Sequence, residues 1–103
     1  MTPLPVKGLL VFISEWQWDE INLRELAAHG LTREIVLQVA EETPGFRANK
    51  KQRAASHQMV GPDFGGTMWV ICIVEVKGQP GLWRAITGWR ARDPEEAWYR
   101  RHR

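Results

Sequence analysis

Cysteine is almost missing from this chain: Cys72 is the single one in 103 residues. No disulfide can close within it, and a lone thiol inside the apolar run Met68-Trp69-Val70-Ile71-Cys72-Ile73-Val74 is expected to be a buried one. Long hydrophobic stretches are absent too. No run approaches the roughly 20 residues that cross a bilayer. The longest early run, Leu9 to Ile13, has only Lys7 before it and no small-residue cleavage site after it, too little for a signal peptide. These absences indicate a cytoplasmic protein with no membrane partner. The histidines His29, His57 and His102 are scattered and, with one cysteine, make no zinc pattern, so no metal and no cofactor is expected. Gly61, Gly65 and Gly66 fit a turn, but no helix start follows them, so they are not a phosphate-binding loop. No nucleophile–base pair stands out. Repeats and low-complexity segments are lacking, and the length fits one domain, residues 1–103.

What the chain does have is tryptophan and a polarised charge. Six tryptophans are many for this length. Trp69 and Trp83 sit in apolar strand patterns and read as core. Trp16 and Trp18 share a face if their segment is extended, and large aromatics left exposed mark interfaces. The net charge of +2 conceals an uneven distribution. Residues 14–42 carry seven acids against Arg24 and Arg33, a balance of −5, whereas residues 43–103 carry eleven cations against five acids, +6. An acidic helical flank and a basic sheet side follow, if these segments fold as read below. A basic face attracts polyanions through long-range attraction and counterion release; the plain alternative is an ordinary solvated surface.

Proline and glycine divide the chain into short elements. Leu9 to Ile13 reads as a strand that extends toward Trp18. Asp19 caps a helix to about His29, with Ile21, Leu23, Leu26 and Ala27 apolar and Gly30 as its stop. Thr32 caps a second helix whose stripe is Ile35, Val36, Val39 and Ala40, ended by Pro44-Gly45. After a basic segment from Phe46 to Arg53, three strands are predicted at Ala54–Val60, Thr67–Val76 and Leu82–Arg90, joined by a turn over Gly61–Gly66 and a hairpin at Lys77–Gly81. The middle strand is apolar on both faces and therefore central. Alternation in the last strand sets Arg84, Ile86, Gly88 and Arg90 on one face, and Trp83, Ala85, Thr87 and Trp89 on the other. Asp93 then reads as an N-cap, Pro94 as the first helical residue and Glu96 as a capping-box carboxylate, for a closing helix to about Arg101. The class is α+β, helices packed on an antiparallel meander.

Several strings, taken in order, resemble the BrnT family of bacterial toxins, of the RelE/ParE-like ribonuclease fold. Trp18-Asp19, Asn22 and His29-Gly30 match the family's opening pattern. Val60-Gly61 through Gly65-Gly66 resemble its turn, and Arg84-Ala85-Ile86-Thr87-Gly88-Trp89-Arg90-Ala91 its last strand. Glu96 and Tyr99 echo a Glu and a Tyr of its closing helix. The likeness runs from Trp16 to Tyr99. The chain departs from the pattern at Trp89, where the first of two arginines is expected, and at Pro62-Asp63, where a basic residue often follows the turn glycine.

The resemblance implies a RelE-like fold and the toxin component of a type II toxin–antitoxin pair. The implied activity is a metal-independent endoribonuclease acting on mRNA, with a cognate antitoxin and RNA as partners. In that chemistry the substrate's 2′-OH attacks the adjacent phosphate. Arginine suits phosphate through its planar fork, and histidine suits proton transfer through its pKa. The expected catalytic set is His57, Arg84 and Arg90. The cluster Arg47, Lys50, Lys51 and Arg53, with Phe46 and Gln52 alongside, is expected to bind RNA. Each residue has a structural reading beside this one: His57 as a half-exposed strand histidine, Arg84 and Arg90 as partners of helix carboxylates such as Glu20 or Glu25, and the cluster as a solvated loop. His29 reads as a helix C-terminal residue interacting with the dipole, as do Arg100, Arg101 and Arg103. The departures at Trp89 and Pro62 favour an alternative, a non-catalytic protein- or nucleic-acid-binding module of the same fold.

Overall fold

The computed structural model describes residues 11–50 and 54–102. In chain order these form β1 (Glu15–Trp16), α1 (Glu20–Ala28), α2 (Arg33–Glu41), β2 (Gly45–Ala48), β3 (His57–Pro62), β4 (Met68–Glu75), β5 (Leu82–Arg90) and α3 (Asp93–His102). One five-stranded sheet runs β1-β5-β4-β3-β2, with β1 parallel to β5 and the remaining neighbours antiparallel. The fold is α+β with a mixed sheet. None of the described helices is long and apolar enough to cross a membrane.

The helix starts follow local chemistry. Asp19 Oδ1 accepts from the Asn22 amide at 2.7 Å and Thr32 Oγ1 from the Ile35 amide at 3.1 Å. Each cap satisfies an otherwise orphaned donor and contributes about 0.5–2 kcal/mol. Gly30, at φ +83°, turns the chain between α1 and α2. The closing helix begins one residue earlier than its sequence suggests. The Glu96 amide donates to the Arg92 carbonyl, and Glu95 Oε1 accepts from the Arg92 amide at 2.8 Å. Arg92 therefore occupies the cap position and Glu95, not Glu96, closes the capping box; Glu96 pairs with Arg100 instead.

The sheet is covered on both faces. Leu26, Leu31, Val36 and Val39 of the α1–α2 segment pack on Met59, Trp69, Ile71, Ile73, Trp83 and Ala85. On the opposite face Val60 and Val70 pack with Tyr99, bordered by Trp89 and Trp98. Residues 70–73 of β4 are fully buried, as its two-sided apolar pattern requires, and Cys72 is a free thiol among them.

Four expectations change. The amino-terminal strand is only Glu15–Trp16; Leu9 and Leu10 lie outside the described residues, and Val11 to Ile13 are not strand. The basic segment opens with a strand, β2, which makes the predicted meander four strands wide. The strand placed at Ala54–Val60 lies at His57–Pro62, because the turn is held later by Asp63, whose Oδ1 accepts from Gly65 and Thr67. On α1, Ile21 is 79% exposed whereas Asn22 is buried. The reason is the edge of β5. The Asn22 side-chain amide donates to the Ala85 carbonyl and Glu25 accepts from Thr87 Oγ1, so α1 turns a polar row to that strand's open edge.

The fifth change has the widest effect. Cys72 stands opposite Thr87 but Ile73 stands opposite Ala85, so Ile86 is an extra residue in β5. Side chains opposite each other in an antiparallel pair share a face. Gly88 and Arg90, opposite Ile71 and Trp69, therefore lie on the face of α1 and α2. Arg84, opposite Val74, lies on the face of α3. The single cationic face expected of β5 is split.

Close approach at Gly88 gives a test of this packing. A Cβ there would lie 2.6 Å from both Leu31 Cδ1 and the Val70 carbonyl oxygen. Gly88→Ala should lower unfolding free energy by about 1–3 kcal/mol in urea titration. Gly65→Ala, whose nearest neighbour would be 3.4 Å away, should stay within about 0.5 kcal/mol of the parent.

Candidate nucleic-acid interface

Arg47 is the best-held cation of the described residues. It lies on β2 opposite Gln58 of β3, and its Nε donates to Gln58 Oε1 at 2.7 Å. Gln58 is buried and its Nε2 donates to Asn49 Oδ1 at 3.0 Å; Asn49 Nδ2 in turn reaches the Ala55 carbonyl. The guanidinium carbon sits 5.0 Å over the Trp98 ring, whose neighbour His102 stacks at 4.6 Å. Gly45 permits this approach, since a Cβ there would come within 2.8 Å of Trp98.

Glu95 closes the other side. Its Oε2 lies 3.7 Å from Arg47 Nη2 and accepts from Trp89 Nε1 at 3.0 Å, while Oε1 caps α3. Together Arg47, Ala48, Lys50, Gln58, Trp89 and Glu95 line a cavity of about 230 Å³. Lys50 at its mouth is exposed. Cys72 is close enough for both charges to act on it. Burial pushes its thiol up to about 11, Glu95 adds to the rise and Arg47 opposes it. At neutral pH the thiol is therefore protonated and a poor nucleophile. What the cleft offers is an oriented guanidinium, an exposed ammonium and aromatic edges, the groups that hold a phosphodiester strand.

The sequence-derived candidates fall in different places. Arg47 and Lys50 share the cleft; Lys51 and Arg53 lie outside the described residues. His57, opposite Ile73, is on the face of α1 and α2. It meets Trp83 edge-on at 5.4 Å, and its Nδ1 is 2.7 Å from Ser56 Oγ. Arg90 shares that face at the far end of β5, opposite Trp69. Arg84 is on the other face and reaches Asp19 Oδ2 at 2.8 Å. It pairs with a helix carboxylate, though with the cap residue and not with Glu20 or Glu25, which engage Arg24 and His29. The sheet itself thus separates His57 from Arg84. His29 is the C-cap of α1, as its position before Gly30 suggests.

No known family model and no curated protein matches this chain. Gln58, Glu95 and Trp98 were not among the sequence candidates. Glu95 carried a signal, since it stands three residues after Arg92 at capping-box spacing, and Gly45-Phe46-Arg47-Ala48 has the period-2 alternation of a strand.

Burial holds the His57 imidazole below its ordinary 6.5, against an opposing pull from the Glu75 carboxylate. The unfolded chain therefore takes up this proton at higher pH than the folded one. Stability should be intact above about pH 6.5 and fall as pH drops through that value toward the folded-state pKa. Urea titrations at pH 7.5 and 5.5 should show the loss, and His57→Gln should remove that part of it. An unchanged pH slope in the variant would mean the burial has no titrational consequence.

Proposed function

We propose that this chain is an RNA-binding domain of RelE-like, BrnT-like build, the toxin-side component of a toxin–antitoxin pair with a cognate antitoxin as its protein partner. The Arg47 cleft carries the reading. A guanidinium fixed by Gln58, Trp98 and Glu95 and flanked by exposed Lys50 is prepared to accept a phosphate. Lys51 and Arg53 follow in sequence and extend the same basic segment. Arg84 lies on the same face of the sheet by register. Binding without cleavage is the form favoured, because His57, Arg84 and Arg90 do not converge on one point.

A second reading keeps the endoribonuclease activity and moves its chemistry. Arg47 and Glu95 put a phosphate-binding fork and a proton-accepting carboxylate 3.7 Å apart at one cavity. These are the residue types that 2′-OH attack on the neighbouring phosphate needs. In this form Arg47 stabilises the crowded phosphate and Glu95 takes the 2′-OH proton as the 2′-oxygen bonds to phosphorus; the P–O5′ bond breaks, the 5′-oxygen leaves with a proton from water, and a 2′,3′-cyclic phosphate remains.

Titration of single-stranded RNA at several salt concentrations tests the binding claim. Arg47→Ala should weaken binding about 10- to 100-fold at low salt, the worth of a charge-assisted hydrogen bond. Lys50→Gln should reduce the slope of log affinity against log salt by about 0.7. Parent-like affinity in both variants, with melting temperatures unchanged, would sink the proposal. Cleavage of the same RNA lost in Glu95→Gln but retained in His57→Ala selects the enzymatic reading.

A further inference from the structure

The face opposite the Arg47 cleft carries a second feature, independent of RNA. Leu37 on the outer side of α2 is 41% exposed, and Phe64, in the β3–β4 turn, is 60% exposed. Cavities flank Leu37 on both sides. One, of about 520 Å³, runs along Ile13, Trp16, Ala40 and Phe46. The other, of about 220 Å³, lies between Leu37, Gln38 and Phe64. Glu41 borders both and Glu34 the second.

Phe64 is not an idle loop aromatic. Its amide donates to Gln38 Oε1 of α2 at 3.0 Å. The turn beneath it is tied by Asp63, whose Oδ2 accepts from Trp69 Nε1 at 3.0 Å and whose Oδ1 accepts from Gly65 and Thr67. These bonds hold the Asp63 carboxyl below the usual carboxylate range, the Trp69 contact foremost. An exposed aromatic on a pre-ordered turn loses little freedom on contact, the property of an interface anchor.

Charge names the occupant. Glu41 takes part in none of the ion pairs among the described residues, and the one partner of Glu34 is its neighbour Arg33 at 3.9 Å. Both carboxylates are exposed, and Glu42 follows Glu41. An apolar groove rimmed by exposed carboxylates, of which Glu41 has no ion pair among the described residues, complements a segment with apolar residues on one side and lysine or arginine on the other.

We propose that the groove along Leu37 and Phe64 docks a basic amphipathic helix of a partner protein. Because it uses the α2 side of the sheet, such a partner binds while the α3 side stays open. The two sites can then be filled together. This separates the proposal from the RNA reading, which can fail without it.

Peptide binding to the full chain tests it. The probe is a helical peptide of about 18 residues with leucine at i, i+3, i+4 and i+7 and lysine elsewhere, beside a matched leucine–glutamate peptide. The lysine peptide should bind, and Phe64→Ser or Leu37→Ser should each weaken it at least about tenfold. Glu34→Lys with Glu41→Lys should invert the preference toward the glutamate peptide. Arg47→Ala should leave peptide affinity unchanged. Equal binding to parent and Phe64→Ser, or no binding at all, overturns the proposal. So does sedimentation showing a dimer that Phe64→Ser dissolves, which would assign the groove to a second copy of the chain.

Discussion

A single unpaired residue in β5, Ile86, decides which side of the sheet each group on that strand serves. Without it, the alternation from Leu82 to Arg90 would be unbroken. Trp83 and Ala85 could then not share a face with Gly88, and Leu31 would have no flat surface to approach. The bulge lets Trp83 and Ala85 join the core under α1 and α2 while Gly88, farther along, does the same. It also turns Trp89 toward α3, where its indole meets Glu95. The separation of Arg84 from Arg90 is a consequence of satisfying both cores with one strand.

Glu95 is the second organising group. One carboxylate caps α3, accepts from the Trp89 indole of β5 and faces the Arg47 guanidinium of β2. The start of α3, the far end of β5 and the edge strand β2 are thereby fixed relative to each other by one side chain. The arrangement is coherent electrostatically, since a carboxylate in the first turn of a helix is favoured by the dipole as well as by the cap. It also tempers Arg47: the cation keeps its orientation but is partly neutralised until an anion competes for it.

The two faces differ in chemistry because the chain visits them in different stretches. Residues from Glu15 to Glu42 build the β5 edge cover and the two helices, and they bring most of the acids. Residues 43–103, which hold the later strands, their connections and α3, bring eleven of the fourteen cations. The edge of β5 shows the same economy: β1 pairs only Leu82 and Trp83, and Asn22 and Glu25 of α1 take over where β1 ends.

Much of this was legible in the chain itself. The caps Asp19 and Thr32, the burial of Val36, Val39 and Cys72, and the span of β5 rest on neighbours within a turn or on period-2 alternation, which sequence displays directly. Arg47 and Lys50 were visible as a basic cluster, though not the strand that carries Arg47. Three things were decided by tertiary structure alone. The bulge at Ile86 arises from the partner strand, because register belongs to a pair and not to a segment. The burial of Asn22 in place of Ile21 arises from an unpaired strand edge that needs polar cover, and no propensity of α1 encodes it. The Arg47 cleft joins β2, β3, β5 and α3 through Gln58, Trp89, Glu95 and Trp98, residues far apart along the chain whose meeting only the folded sheet brings about.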